Sequence, residues 1–208
     1  ASYRRQRQMC IRDRTTTPWT IPANKALAYN AGLKYVLLEI NDNKNFVNRK
    51  IVIAKDLLEP FKKDTSIENI KVLNEFLGKD LNGTICSHPF SKMEYNYDIP
   101  MLEANFVTTE QGTGIVHCAP SHGPDDFNLC LNNNIKAIET VDGDGKYTSE
   151  IKLFEGLHIF KANNLIIEKL DEQKNLVTNG KLTHSYPHSW RSKAPLVHRA
   201  TPQWFISM

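Results

Sequence analysis

Apolar residues in this chain never hold one spacing for long. Runs rich in β-branched and aromatic residues, such as LKYVLLEI at 33–40 and FVNRKIVIA at 46–54, are separated by a polar turn, NDNKN. Such runs read as strands joined by a tight connection. Within residues 161–174, Ala162, Leu165, Ile166 and Leu170 share one face, which predicts an amphipathic helix. GPDDFNLCLNNN at 123–134 reads as a helix start, with Pro124 near the first position and two acids in the first turn. Strands and short helices mix without a strand–helix–strand rhythm. That argues against a doubly wound sheet and for a β-rich α+β fold.

The remaining segments carry weaker signals. Residues 15–24, TTTPWTIPAN, read as extended or turn. Asp56 is placed to cap a helix over 56–63, which Pro60 would shorten or interrupt. Residues 67–77 fit a helix or a strand. Residues 80–90 predict a turn and a short strand, residues 104–118 a strand, a glycine turn and a second strand, and VDGDGKY a tight turn. Residues 1–14, with five arginines, break the composition and show no periodicity. They are set aside as an unstructured or foreign tail.

A chain of 208 residues is long enough for one large domain or two small ones. Its 40% hydrophobic and 24% charged content excludes global disorder, and no apolar run reaches the length of a membrane helix. The net charge of +3 is unevenly placed: the first 14 residues and the stretch 181–208 are both basic, so the stretch between them is net acidic. A protein that bound nucleic acid over its whole surface would be basic throughout, so basic contact is expected at one end. The four cysteines contain no CxxC pair, which points to a reducing, cytoplasmic compartment.

Three clusters carry potential chemistry. In GTGIVHCAPSHGPDDF at 112–127, a small-residue turn feeds a strand ending near His117, and two aspartates open the following helix. A helix start favours an ionised aspartate, which can hold an ammonium group. Equally open at this level are a simple helix-dipole role for Asp125 and Asp126, a core role for His117, and a metal set of His117, Cys118, His122 and an aspartate. Thr15, Thr16, Thr17 and Thr20 offer hydroxyls that could position water or a ribose, or simply build a turn or edge strand. Residues 184–205 interleave basic and aromatic side chains, which suits phosphate contact and base stacking but also a surface connector.

Taken together over residues 15–208, these clusters resemble the editing insertion of isoleucyl-tRNA synthetase, a class I aminoacyl-tRNA synthetase. TTTPWTIPAN resembles its threonine-rich segment, GTGIVHCAPSHGPDDF its amino-acid-binding segment, and SYPHSWR with RATPQWF the segment returning to the synthetic domain. Valyl and leucyl enzymes typically open the first motif Thr-Thr-Arg-Pro, and valyl enzymes usually carry Lys at the position of His117. Arg14 stands where an aromatic usually precedes the threonines, and Ser189 where a Cys is common.

The resemblance implies an editing-domain fold over 15–183, with a barrel-like β core and flanking short helices, and a returning segment over 184–208. It implies hydrolysis of valine mischarged on the isoleucine tRNA, with isoleucine refused by size. It assigns Thr15, Thr16, Thr17 and Asp126 to catalysis, and Trp19, Thr20, Asn24, His117 and Asp126 to substrate binding. Asp126 would take the α-ammonium group, His117 would set pocket size, and the threonines would place the terminal adenosine and water. No metal or other cofactor is implied for editing. ATP would serve the parent enzyme, whose HIGH-type and KMSKS-type motifs are absent from this sequence, so the chain reads as a fragment. The implied partners are the tRNA 3′ end and the rest of the synthetase, with no membrane. A non-catalytic module that holds the tRNA end and a metal-dependent hydrolase are the alternatives.

Overall fold

In the computed structural model, which describes residues 9–11, 15–41, 49–110, 112–180, 187–204 and 206, the β-rich runs pair into two four-stranded sheets. The strands are β1 (Met9–Ile11), β2 (Ala26–Tyr29), β3 (Lys34–Ile40), β4 (Arg49–Ala54), β5 (Ile70–Leu77), β6 (Ile85–Ser87), β7 (Asp98–Glu103) and β8 (Ile115–Cys118). One sheet has the order β1-β4-β3-β5, the other β6-β7-β2-β8. Most pairs are antiparallel, but β1 runs parallel to β4 and β2 parallel to β7. The helices are α1 (Leu58–Thr65), α2 (Pro124–Asn132) and α3 (Ile159–Glu172).

Strand alternation explains how the sheets pack. Tyr35, Val52 and Ala54 from the first sheet meet Leu27, Tyr29, Ile99, Met101 and Ile115 from the second in one shared core. The opposite face of β3 and β4 presents Val36, Leu38, Ile40, Ile51 and Ile53 to Phe61 of α1 and to Ile67. Behind the second sheet, Ala26, Ala28 and Cys118 pack on Cys130 of α2 and on Val107. A further core joins α3 to the 3-10 helix Pro18–Ala23 through Trp19, Ala162, Ile166 and Leu170, with Phe90, Tyr95, Tyr147 and Phe154.

Gly114 sits at a close approach between the two sheets. Its carbonyl accepts the Tyr35 hydroxyl at 2.7 Å, and its neighbour Thr113 accepts the Ala54 N–H at 2.8 Å. A Cβ on Gly114 would sit 2.4 Å from Ala54 Cβ, and its φ is +73°, so glycine is required twice over.

The predicted β3, α2 and α3 appear with bounds shifted by a few residues, and residues 67–77 resolve as the strand β5. Of the predicted strand at 46–54, residues 46–48 lie outside the described residues. Three expectations need correction. Asp56 is not a helix cap: α1 starts after a 3-10 turn, Lys55–Leu57, with Leu57 at the cap position. Pro60 is accommodated because first-turn N–H groups have no helical acceptor to lose. The first strand expected within 104–118 instead precedes that stretch, as β7 at Asp98–Glu103. The threonine-rich segment, expected as extended or turn, leads into a 3-10 helix that contains Pro22. Finally, Met9–Ile11 lies inside the set-aside tail yet forms a backbone ladder with Lys50–Val52, so the tail is not wholly unstructured. The free edge of β4 supplies the partners for that ladder. Arg14 lies outside the described residues.

Candidate functional site

β8 carries the cleft on its inner face. Ile115 and His117 are two residues apart, so both point to the side of the sheet that faces the shared core. Ile115 is buried in that core. His117 lies beyond it and lines a cleft of about 330 Å³ with Thr15, Thr16, Thr17, Thr20, His122 and Asp126. Gly112, Thr113, Gly114, Ile115, Val116 and Ala119 supply the rest of the wall.

The threonines are folded in by local bonds. Thr15 Oγ1 accepts the Thr17 N–H at 3.0 Å and lies 3.3 Å from Thr17 Oγ1, so one tight turn gathers these hydroxyls. Thr20 Oγ1 donates to Thr17 O at 2.9 Å. Its one proton is thereby used, so it accepts from Nε2–H of His117 at 2.7 Å, across 97 residues of sequence. This bond ties the threonine segment to β8 and fixes the imidazole at the cleft wall.

Asp126 sits in the first turn of α2, whose first residue is Pro124. Its Oδ2 accepts the Ala119 N–H at 2.9 Å, while Asp125 is exposed. The carboxylate is therefore held by the chain just after β8, beside the positive end of a helix. Asp125 fits the simple dipole role; Asp126 is turned into the cleft.

His122 also lines the cleft. Nδ1–H donates to His198 O at 3.0 Å, and Nε2 accepts the Thr140 hydroxyl at 2.7 Å. Its ring meets Trp19 edge-on at 4.7 Å. Burial pushes its pKa down to about 4, opposed by the bond to His198 O and reinforced by nearby His117.

Trp19 and Asn24 were expected in the pocket but do not line it. Both are buried behind the wall. The Trp19 backbone N–H donates to Asn163 Oδ1 at 3.0 Å, its carbonyl accepts the Tyr147 hydroxyl, and the Asn24 carbonyl accepts the Tyr97 hydroxyl at 2.9 Å. They hold the 3-10 helix in place rather than face the cleft.

The metal set weighed from sequence is not assembled. Cys118 faces the opposite side of β8 from His117, in the core under α2, and both His122 nitrogens are engaged. Among the described residues, no group of three or more His, Cys, Asp or Glu is placed to hold a metal ion.

Sequence reasoning missed the lining role of Gly112–Val116 and the bridging role of His122. The GTG run was a visible signal, because glycines flanking a threonine before a strand mark a close backbone approach. Nothing in sequence pairs His122 with Thr140 or His198.

The family described as "Leucyl-tRNA synthetase, editing domain" matches residues 32–179. The isoleucine–tRNA ligase of Pelagibacter ubique (strain HTCC1062) is 72% identical over 194 residues, which cover 93% of this chain and 21% of that protein. The isoleucine–tRNA ligase of Gluconobacter oxydans (strain 621H) is 45% identical over 209 residues, covering 93% and 22%. The chain thus spans about a fifth of the length of these curated relatives. Among solved structures, GlLeuRS-CP1 superposes with a TM-score of 0.62 at 14% identity, over 83% of this chain and 84% of that one. The P. knowlesi cytosolic leucyl-tRNA synthetase editing domain gives 0.56 at 13%, over 79% and 82%. With the family match running over most of its length and the fold shared at low identity, the chain belongs to the tRNA-synthetase editing-domain family, and its sequence aligns with isoleucine–tRNA ligases.

Proposed function

We propose that this domain hydrolyses valine from mischarged Val-tRNA(Ile) and spares Ile-tRNA(Ile). The supporting observation is convergence: the threonine turn, distant in sequence, meets His117 and Asp126 at one cleft. In this reading Asp126 holds the α-ammonium group by a charge-assisted hydrogen bond. Thr15, Thr16 and Thr17 place the terminal ribose and the attacking water. An aminoacyl ester is already activated, so positioning and oxyanion stabilisation supply most of the rate. No metal is assigned a part.

His117 sets the size limit. Its ring is pinned by Thr20, so the wall it forms cannot retreat to admit a larger side chain. Such a sieve is useful because one methylene gives a synthetic pocket only ~1–3 kcal/mol of discrimination, a limit for which isoleucyl-tRNA synthetase is itself the standard illustration. The parent's ATP-dependent charging of the isoleucine tRNA, and partnership with the rest of the synthetase, complete the proposal.

The test is amino-acid release from both charged tRNAs. We expect selective valine release by the wild type. Asp126→Ala should lose at least about 10²-fold in rate while its Tm stays close to that of the wild type. His117→Ala should begin to release isoleucine. Full activity in Asp126→Ala would remove the ammonium role. Binding without turnover, steeply salt-dependent, would favour the tRNA-holding alternative.

A further inference from the structure

The stretch Val197–Ala200 is stitched to the back of the cleft. Val197 packs against the core that contains Trp19 and Ala119. The Ala200 N–H donates to Ser121 O at 2.9 Å. Arg199 Nη1 donates to Glu139 Oε1 at 2.9 Å and to Val141 O at 3.3 Å. The Ser121 hydroxyl donates to Ile138 O. Three separate pieces of chain, 121–122, 138–141 and 197–200, therefore interlock beside the cleft. On either side of this short stretch the chain is open to solvent: Trp190 is 83% exposed and Trp204 99%.

His122 is the cleft residue in that interlock. Its ring joins His198 O on one side to Thr140 on the other. Its own N–H donates to Ala119 O at 2.8 Å, and the Ala119 N–H holds Asp126. Three hydrogen bonds thus connect the docked stretch to the carboxylate assigned to the substrate ammonium.

We propose that His122 is a positioning residue, through which docking of Val197–Ala200 fixes the placement of Asp126 in the cleft. The proposal rests on the hydrolytic reading above. His122 is neutral at physiological pH, which gives its two bonds a fixed direction: the Nδ1 proton goes to the carbonyl, and Nε2 receives the hydroxyl proton. An alanine there would remove the ring's bond to the stretch and leave the Ala119–His122 turn without its outer brace. Hydrolysis is sensitive to such shifts, since displacement by about 1 Å can cost about 10²-fold in rate.

The experiment uses the whole chain as wild type, His122→Ala, His122→Gln, Arg199→Ala and the His122→Ala/Arg199→Ala double variant. The first readout is amide hydrogen exchange, which needs no activity. In His122→Ala the Ala200 amide should exchange at least about 10-fold faster while the amides of β3 keep their protection. The second readout is steady-state release of valine from Val-tRNA(Ile). We expect kcat to fall by about 10-fold or more in His122→Ala with KM within about 2-fold. Glutamine, which keeps a donor and an acceptor, should recover most of the loss. The double variant should be no worse than the poorer single one, because both changes release the same stretch.

Unchanged Ala200 exchange in His122→Ala would overturn the proposal, as would losses that multiply in the double variant. A wild type that releases no valine would defeat the hydrolytic reading alone, and Ala200 exchange would still decide whether His122 holds the stretch.

Discussion

The sheet centred on β3 and β4 and the sheet centred on β2 and β7 share a core but are filled differently. In the first, large side chains lie on both faces: Tyr35 and Val52 look inward, and Leu38, Ile40, Ile51 and Ile53 look outward. In the second, the fully buried residues of the outward face are small, Ala26, Ala28 and Cys118, and pack against Cys130 of α2. Its inner face runs from a core isoleucine, Ile115, to a polar cleft residue, His117, within two positions. The first sheet is a packing element. The second positions a helix start, a glycine turn and a strand end around one cavity, and gives up bulk to do so.

Gly114→Ala should have the largest effect, because it breaks the division between the two sheets. Forcing an alanine into a positive φ costs about 1–2 kcal/mol, and overpacking against Ala54 adds about 1–3 kcal/mol. Both stability and hydrolysis should fall, and chemical denaturation beside the release assay would show it. A variant that lost neither would mean that the sheets can move apart freely.

Ile53→Ala sharpens the contrast. Ile53 is fully buried on the face away from the cleft. We expect a loss of about 2–5 kcal/mol in stability with kcat for hydrolysis unchanged below the new melting point. A fall in kcat would show that the packing sheet also tunes the cleft.

A smaller effect concerns pH. Burial pushes His88 down to about 3 and His122 to about 4, from the ordinary 6.5. The unfolded chain therefore takes up protons that the folded one refuses. Stability from these neutral rings is full above pH 6.5 and declines as pH falls toward their folded values. We expect Tm to begin to drop between pH 6.5 and about 5, above the carboxylate range. Their ring C–H resonances should not titrate in that window; titration near 6.5 would show both rings to be open to solvent.

The smallest effect belongs to the edge of the packing sheet. Lys55 Nζ lies 2.7 Å from Glu75 Oε2, with both side chains substantially exposed. Lys55→Ala should leave Tm unchanged, since such pairs are screened by water and salt. A clear drop would make this edge a structural element.

Several features were legible in the order of residues. The β-rich composition of LKYVLLEI gave a strand, Pro124 gave a helix start, and Ala162, Ile166 and Leu170 gave the buried face of α3. These are local: period, cap and turn chemistry act within a few residues. β2 was not legible, because ALAY is four residues long and carries no decisive pattern. The threonine run, His117 and Asp126 were recognisable as motifs.

What the sequence alone determined is the set of chemical groups and the local shapes that present them. The tertiary structure decided which of those groups meet. Thr20 reaches His117 across 97 residues, and His122 reaches His198 across 76. Trp19 and Asn24, adjacent in sequence to the site, turn behind the wall instead. The reason is that a hydrogen bond or a packed ring depends on distance in space, and two sheets closing on a shared core set those distances only once the whole chain has folded.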